Sequence, residues 1–183
     1  IESTYDNVYI KVDNSSFRHN IGCIYVDSHI DVRNSTFEEN GEQPLIDVYN
    51  IHPSLCNIVD SVSFVRNAGF ILSLSELDVK NSIFDSNVRE GGNSNTALII
   101  GISKRIRVFN TNFSNNITDG ELIFGDEIFI ERCRLENNNC KYSGFAFKHH
   151  TLAQFWKYSS YEQFGVLDII SKVTAIPPLS AIF

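Results

Sequence analysis

The chain has 183 residues, a formal net charge of −7 and 43% hydrophobic residues. This length allows one domain with a sizeable core, and the negative charge predicts that nucleic acid is not a partner. No run of about eighteen uncharged apolar residues occurs, so we predict no membrane-spanning helix in this sequence. Because the chain lacks Met and opens on Ile1 in an apparent strand, we interpret it as a fragment of a longer protein.

One phrase returns six times along the chain. Its copies cover residues 10–20, 30–40, 57–67, 77–87, 106–116 and 128–138. Each copy contains one large apolar anchor, and these anchors are Phe17, Phe37, Phe64, Phe84, Phe113 and Leu135. Successive anchors are 20, 27, 20, 29 and 22 residues apart. A period of this length indicates stacked units, none of which can bury its apolar face alone.

Other positions recur at fixed distances from the anchor. The minus-five position holds Val12, Val32, Val59, Val79, Val108 and Ile130, and the minus-seven position is mostly Ile or Leu. The minus-three position holds Asn14, Asn34, Ser61, Asn81, Asn110 and Arg132. The plus-three position holds Asn20, Asn40, Asn67, Asn87, Asn116 and Asn138. Period-two alternation predicts that the minus-seven, minus-five and minus-three side chains share the inward face of a strand, with asparagine ladders at the corners.

A second short apolar run follows each copy, at residues 23–26, 45–48, 70–74, 97–100, 122–124 and 145–147. Each unit thus offers two or three short strands, separated by corners rich in Asn and Ser and without helical periodicity. This pattern predicts an all-β parallel β-helix, in which equivalent positions stack about 4.8 Å apart. A leucine-rich horseshoe is disfavoured because its helix and its Leu-x-x-Leu-x-Leu strand are missing.

The composition changes after Asn139, the last of 19 asparagines, where aromatic residues become frequent. We therefore divide the chain into β-helix repeats at residues 1–148 and a segment at residues 149–183 that is a C-terminal cap or an irregular last coil. As a cap, the segment would cover the apolar end of the stack with Phe155, Trp156 and Phe164. As a coil, it would continue the stack at residues 165–170.

The cysteines Cys23, Cys56, Cys133 and Cys140 have no CxxC spacing and no partnered histidines. This arrangement predicts buried thiols and no metal site, with a Cys133–Cys140 disulfide as the alternative.

Charged residues are scattered among the repeats. Asp31 and Asp78 share the minus-six position, where an isolated carboxylate is predicted to face solvent. The basic run Lys104, Arg105 and Arg107 predicts a solvated strand edge or, as the alternative, a contact with an anionic glycan.

Two insertions lengthen the repeat, at residues 50–56 and 88–95. Insertions in a repeat form surface loops, where solenoids carry recognition, although ordinary drift in length also explains them. The binding residues predicted on these loops are Asn50, His52, Arg89 and Asn93.

Four asparagines begin Asn-x-Ser/Thr sequons, at Asn14, Asn34, Asn112 and Asn116. In a secreted eukaryotic protein such sequons accept glycans. Asn112 is offset by one residue from the anchor, so it is predicted to face solvent and to be glycosylated. Asn14 and Asn34 are predicted to point inward and to stay unmodified.

The phrase Val-x-Asn-Ser-x-Phe-x-x-Asn resembles the repeat of polymorphic outer membrane proteins, a family of β-helix proteins in the pectin-lyase-like superfamily. Its Phe-x-x-Asn half matches at anchors 17, 37, 64, 84 and 113, its glycine-containing half is degenerate, and the resemblance covers residues 10 to about 148. It implies a right-handed, single-stranded parallel β-helix of about six coils that is extracellular or on a cell surface. The implied partner is a host or neighbouring cell-surface protein or a glycan.

Enzymes of the β-helix class act on polysaccharides. Their sites use clustered Asp ligands for Ca²⁺ with a basic proton abstractor, or strings such as Asn-Thr-Asp, Asp-Asp, Gly-His-Gly and Arg-Ile-Lys. None of these four strings occurs here. We therefore expect a non-enzymatic adhesion or spacer protein with no catalytic residue, metal or cofactor. The alternatives are a carbohydrate-active β-helix domain whose catalytic coils lie outside this sequence, and an internal structural scaffold.

Overall fold

The structure is a computed structural model that describes residues 2–3, 9–49, 56–91, 96–101, 105–141, 147–155 and 160–161. Within these ranges every regular element is a β-strand, and every strand pair is parallel. Each winding of the chain adds a strand to the same faces in turn, which makes a parallel β-solenoid. The all-β prediction is confirmed for the described residues.

Three faces enclose the core. The first face contains β1 (Glu2–Ser3), β4 (Ile24–Val26), β7 (Ile46–Val48), β10 (Ile71–Ser73) and β14 (Ile99–Gly101). The second face contains β2 (Tyr9–Asp13), β5 (His29–Arg33), β8 (Asn57–Asp60), β11 (Leu77–Lys80) and β15 (Arg105–Phe109). The third face contains β3 (Ser16–Arg18), β6 (Thr36–Glu38), β9 (Ser63–Val65), β12 (Ile83–Asp85), β16 (Asn112–Ser114), β19 (Arg134–Glu136) and β22 (Ser160–Tyr161).

Two longer strands, β18 (Ile123–Glu131) and β21 (Phe147–Phe155), pair with each other and run along both the first and the second face. Through β18 the two faces form one 12-stranded sheet. A small sheet after the third face contains β13 (Val88–Arg89), β17 (Ile117–Thr118) and β20 (Asn139–Cys140). Each further winding therefore adds strands to these faces in the same order along the stack.

Left-handed residues separate the strands at the corners. The minus-three residues before the third face have φ between 46° and 58°. The plus-two residues after it, which are His19, Glu39, Arg66, Ser86, Asn115 and Asn137, have φ between 52° and 56°. Asn adopts this conformation at lower cost than most residues, which explains its frequency at the minus-three position.

The inward orientation predicted for the minus-three side chains is wrong. Asn14, Asn34, Asn81 and Asn110 are exposed, whereas the next residues Ser35, Ser82 and Thr111 are buried. The left-handed residue turns the backbone and interrupts the period-two alternation, so the side chain after it points inward instead. The alternation rule therefore holds only up to the corner.

The anchors stack in one column, as predicted. Neighbouring phenylalanine rings from Phe17 to Phe113 have centroids 4.6–5.0 Å apart and interplanar angles of 9–16°. Leu135 continues the column in register with Phe113. The minus-five residues form the predicted neighbouring column, since they pair in register along the second face and all six are buried. These two columns supply much of the apolar core.

The plus-three asparagines form the predicted ladder inside the corner. In every member after Asn20, Nδ2 donates to the backbone carbonyl of the anchor phenylalanine of the previous winding at 2.8–3.0 Å. From Asn20 to Asn116, Nδ2 also donates to Oδ1 of the next asparagine at 2.8–3.1 Å. The ladder thereby satisfies polar groups that burial would otherwise leave without partners.

The stack continues into the C-terminal segment. β21 pairs with β18 and β22 pairs with β19, both in parallel. The boundary predicted at residues 148 and 149 falls inside β21. Trp156 and Phe164 lie outside the described residues, as does the side chain of Phe155, so the capping role stays a prediction.

Candidate binding surface

The outer surface of the second face carries two buried carboxylates. Asp31 is 5% exposed and Asp78 is 6% exposed, although both side chains point away from the core. The prediction that they face solvent as isolated carboxylates is therefore wrong. Each carboxylate is bound by one side chain of its own strand and one of a neighbouring strand.

Asp31 accepts two hydrogen bonds through different oxygens. The Tyr9 hydroxyl donates to Oδ2 at 2.9 Å, and the Arg33 guanidinium donates from Nε to Oδ1 at 2.7 Å. Burial raises the pKa of Asp31, but the hydrogen bonds from Arg33 and Tyr9 outweigh burial and leave this pKa below its ordinary value. Asp31 is therefore held as an anion.

Asp78 has two cationic partners. Lys80 Nζ lies 2.8 Å from Oδ2, and Arg107 Nε lies 2.5 Å from Oδ1. Burial again raises the pKa, and the hydrogen bonds from Lys80 and Arg107 again outweigh it, so the pKa of Asp78 is lowered. A carboxylate held in this way is a poor general acid near neutral pH.

The basic run is paired within the described residues. Arg105 Nε lies 3.3 Å from Glu127 Oε2 on the adjacent strand, and Arg107 binds Asp78. Arg107 Nη2 also approaches the Cys56 thiol at 3.6 Å. Lys104 lies outside the described residues. The two arginines are thus tied to carboxylates of neighbouring strands, and contact with an anionic glycan stays a prediction.

A depression of about 310 Å³ opens on the outer side of the first face. Its lining consists of Gly22, Cys23, Ile24, Tyr25, Gln43, Pro44 and Asp47. Asp47 pairs in register with Tyr25 on one side and Leu72 on the other. The depression therefore brings together a carboxylate and a partly exposed tyrosine ring.

Asp47 has surroundings unlike those of Asp31 and Asp78. Its Oδ1 is buried and has no hydrogen-bond partner among the residues that the structure describes. Burial raises the pKa of Asp47, and no cationic side chain among the described residues forms an ion pair with it. The residue as a whole is only half-buried and lines the depression, where a ligand that donates a hydrogen bond could bind its carboxyl group. We therefore consider the depression the best candidate binding site on the described surface.

Sequence analysis missed this site. Its signal is an acidic residue at the outward position of β7, where the neighbouring strands carry Tyr25 and Leu72. A carboxylate between such neighbours lacks the charge pairing seen on the second face. Finding these neighbours requires the register between strands, which the sequence alone did not supply.

Of the binding residues predicted on the insertions, only Arg89 is described. Asn50, His52 and Asn93 lie outside the described residues. The Arg89 guanidinium lies 3.6 Å from the centroid of the Phe70 ring, and Nη1 donates to the Glu42 carbonyl at 3.3 Å. Burial lowers the pKa of Arg89 to about 10, and within the described ranges its Nε is buried without a hydrogen-bond partner. Arg89 thus packs on the solenoid surface, and its binding role stays a prediction.

The sequons differ in exposure. Asn112 is half-buried, and its Oδ1 is buried without a partner in the described part of the chain. Its glycosylation stays a prediction. Asn116 is fully buried in the inner ladder. The reason for excluding Asn14 and Asn34 is wrong, because both side chains are exposed.

All four cysteines are free thiols, and Cys133 and Cys140 are buried, as predicted for a repeat core. Cys133 Sγ donates to the carbonyls of Glu131 at 3.4 Å and Val108 at 3.5 Å. Burial raises the pKa of Cys133 to about 11. Within the described ranges, no group of three or more His, Cys, Asp or Glu side chains is placed to hold a metal ion.

The strand order and the stacked columns define a parallel β-solenoid. We compared the chain with protein-family models, curated proteins and solved structures, and none of these comparisons found a match. A search of the described part of the chain found no helix with the length and apolarity needed to cross a membrane.

Proposed function

We propose that the chain is the repeat region of a secreted or cell-surface protein that acts in adhesion or as a spacer, without enzymatic activity. In this proposal the solenoid is a right-handed, single-stranded parallel β-helix of about six coils, of the pectin-lyase-like kind. The resemblance of the repeat to that of polymorphic outer membrane proteins supports both the fold detail and the location. The partner is a cell-surface protein or glycan.

The observation that carries this proposal is the inward use of the repeated motif. In each interior unit the phenylalanine stacks on its neighbours and the plus-three asparagine forms hydrogen bonds within the core, so neither side chain can contact a partner. Their recurrence is therefore explained by packing, and a solenoid built this way is a stiff support whose outer surface is free to vary. Such a support suits display or spacing.

The two carboxylates on the outer surface of the second face, Asp31 and Asp78, also support a non-enzymatic role. Asp31 and Asp78 are held as anions by hydrogen-bonding partners, and each uses both of its oxygens for them. A general acid or base must exchange a proton with a substrate, which these pairs oppose. The Tyr9–Asp31 hydrogen bond and the Arg107–Asp78 ion pair join neighbouring strands, so they instead fix the relative position of successive windings.

A carbohydrate-binding role is the alternative, and the depression at Asp47 favours it. A sugar hydroxyl could donate to the Asp47 carboxyl group, while the apolar face of the sugar ring packs against Tyr25. This alternative places the binding surface on the first face rather than on the motif residues.

Labelling of native cells tests the location. A membrane-impermeant biotin reagent is applied to intact cells, and the protein is recovered and identified by mass spectrometry. We expect labelling on intact cells, at lysines of the outer surface such as Lys11. Labelling only after lysis would overturn the surface role and favour an internal scaffold.

A glycan array with purified protein separates the two functions. Neutral oligosaccharide binding that is lost in Asp47→Asn and kept in the matched variant Asp60→Asn would establish the carbohydrate-binding alternative. Asp60 is a suitable control because it lies on the second face, where it accepts hydrogen bonds from Ser61 and Asn81. Release of new sugar ends from polysaccharide would contradict the non-enzymatic proposal.

A further inference from the structure

The corner between the second and third faces carries a glycosylation sequon at Asn34. Residues 34–36 read Asn-Ser-Thr, the acceptor sequence of N-linked glycans. The sequon begins after β5 and runs into β6, and its three residues have different surroundings. Asn34 is exposed, Ser35 is buried, and Thr36 is half-buried on the outer side of the third face. The acceptor asparagine is therefore the most accessible residue of the sequon.

Backbone groups and the Ser35 hydroxyl hold the chain at this corner. Asn34 has a left-handed φ of 46°, and its backbone N donates to the Asp60 carbonyl at 3.1 Å. Ser35 Oγ donates to the Arg33 carbonyl at 2.6 Å and accepts from Ser15 N at 3.1 Å. The backbone conformation of the corner thus does not depend on the Asn34 side chain, which is free to be modified without unfolding the corner.

The Asn34 side chain has room for a glycan. Its Nδ2 donates to Asp13 Oδ1 at 3.0 Å, in a hydrogen bond that is exposed to water. The equivalent corner residues of the two neighbouring windings are Asn14 and Ser61, which are both short and exposed. Because the winding on each side is described at this corner, the exposure of Asn34 does not depend on where the sequence begins.

The other three sequons have less favourable surroundings. Asn116 is buried in the inner ladder, where its Nδ2 already donates two hydrogen bonds. Asn112 is half-buried inside β16. Asn14 is exposed at the equivalent corner of the preceding winding, where the described chain supplies a neighbour on one side only. Among the four sequons, Asn34 therefore combines an exposed acceptor with neighbours that are described on both sides.

We propose that the exposed, left-handed corner makes Asn34, which sequence analysis excluded, an acceptor of an N-linked glycan. The inference rests on the secreted or cell-surface role proposed above, because the transfer takes place in the secretory pathway. The donor is an oligosaccharide carried on a polyprenyl diphosphate. The bond between its anomeric carbon and the diphosphate oxygen breaks, and that carbon bonds to Asn34 Nδ2, which loses one proton to a base of the transferase. The remaining N–H can still donate to Asp13 Oδ1.

The position of this glycan is compatible with the candidate binding site. Asn34 lies where the second face meets the third, whereas the depression that includes Asp47 opens on the first face. The modification and the candidate binding site thus occupy different sides of the solenoid. A glycan on Asn34 would shield the corner rather than the depression.

Expression of the chain behind a secretion signal in a eukaryotic host tests the acceptor. The sample is soluble secreted protein that unfolds cooperatively on heating. Enzymatic deglycosylation converts each occupied asparagine to aspartate, and mass spectrometry then gives the occupancy of each sequon. We expect most molecules to carry a glycan on Asn34 and none to carry one on Asn116. An unmodified Asn34, or equal occupancy of Asn34 and Asn116, would overturn the proposal.

Two variants separate the sequon from the corner. Thr36→Val removes the sequon with a side chain of similar shape, so the glycan on Asn34 should be lost. Ile83→Thr, at an exposed side chain, creates a sequon at Asn81, which is exposed and left-handed at an equivalent corner. We expect this variant to gain a glycan on Asn81. A glycan on Asn34 that persists in Thr36→Val, or an unmodified Asn81 in Ile83→Thr, would overturn the proposal.

These outcomes are distinct from a failure of the proposed surface role. The secretion signal brings the chain to the transferase whatever its natural location is, so an unmodified Asn34 overturns the acceptor site and leaves the surface role intact. Labelling of native cells only after lysis, with Asn34 occupied in the secreted protein, overturns the surface role and the glycan in the natural protein. It does not overturn the acceptor property of the corner.

Discussion

The two asparagine rows of the repeat place one residue type in opposite surroundings. The inner row is the plus-three ladder, whose members from Asn40 to Asn138 are buried. The outer row is the minus-three row, whose asparagines Asn14, Asn34, Asn81 and Asn110 are exposed and left-handed. The inner row acts through its side chains and the outer row through its backbone conformation. A recurring residue in a repeat therefore need not have a recurring role.

The hydrogen bonds of the two rows express this difference. Asn87 binds the Phe64 carbonyl and the carboxamides on both sides of it, all in the buried corner. Asn81 donates to Asp60 Oδ1 and accepts from Asn110 Nδ2, both at 2.8 Å and both exposed to water. Water can replace the hydrogen bonds of the outer row but not those of the inner row. Replacing an asparagine by alanine should therefore lower the free energy of unfolding more in the inner row than in the outer row.

The largest loss of stability is expected for substitutions in the buried column of anchor residues. Phe64→Ala removes a fully buried ring between two stacked neighbours and should lower the free energy of unfolding by about 3–5 kcal/mol. The matched change Ile83→Ala, at an exposed side chain of the same face, should cost about 1 kcal/mol or less. Urea unfolding followed by circular dichroism measures both. Similar costs at the two positions would refute the anchor column.

The next largest loss of stability is expected for an asparagine of the inner row, compared with one of the outer row. Asn87→Ala leaves the Phe64 carbonyl and the donors of Asn67 without partners, so it should cost about 3 kcal/mol or more. Asn81→Ala should cost about 1 kcal/mol, since alanine is strained at a φ of 48°. The same unfolding measurement compares them.

A further substitution separates backbone from side chain in the outer row. Asn81→Gly should be close to neutral, because glycine accepts the left-handed conformation and loses only exposed hydrogen bonds. Asn87→Gly should remain as damaging as Asn87→Ala or more so. If Asn81→Gly were as costly as Asn87→Gly, the outer side chain would have a structural role that the comparison denies.

A smaller effect is expected in how stability depends on pH, and it differs between Asp78 on the second face and Asp47 on the first face. The lowered pKa of Asp78 means that its stabilisation is present above the pKa of the unfolded chain and is lost as pH falls through the folded value. Asp78→Asn should therefore cost about 1–2 kcal/mol at pH 7 and less in acid.

Asp47 should behave with the opposite sign. Its pKa is raised by burial, so the favourable contribution of the protonated form is lost as pH rises through the folded value. Asp47→Asn should therefore slightly increase the melting temperature at pH 7, with a difference that shrinks toward pH 4. Thermal unfolding across this pH range tests both variants, and shifts of the same sign would contradict the assignment.

Glycosylation gives the last comparison and the smallest expected change in stability. In a eukaryotic secretory host we expect a glycan on Asn112 and none on Asn116, whose Nδ2 donates to Phe84 O and Asn138 Oδ1 in the buried ladder. Mass spectrometry of the folded protein after enzymatic deglycosylation measures the occupancy of each sequon. A glycan on Asn116 in folded material would contradict the buried inner ladder and the difference between the two asparagine rows.

Much of the core could be predicted from the sequence, because its columns depend on spacing alone. Phe64 and Phe84 stand in equivalent places in their repeats, as do Val59 and Val79, and parallel stacking converts equal spacing into contact. The plus-three asparagines follow the same logic. Local patterns of this kind require no knowledge of distant neighbours.

The candidate site and the corners required the tertiary structure. The direction of Asn34 depends on a left-handed φ of 46°, which ends the period-two alternation that predicted it would point inward. The burial of Asp78 depends on Arg107, 29 residues further along the chain. Asp47 became a candidate only through the register that sets it between Tyr25 and Leu72. By itself, the sequence determined which positions stack, because stacking follows from the repeat. The tertiary structure decided which outward charges are paired across windings, because a partner such as Arg107 for Asp78 lies on another winding.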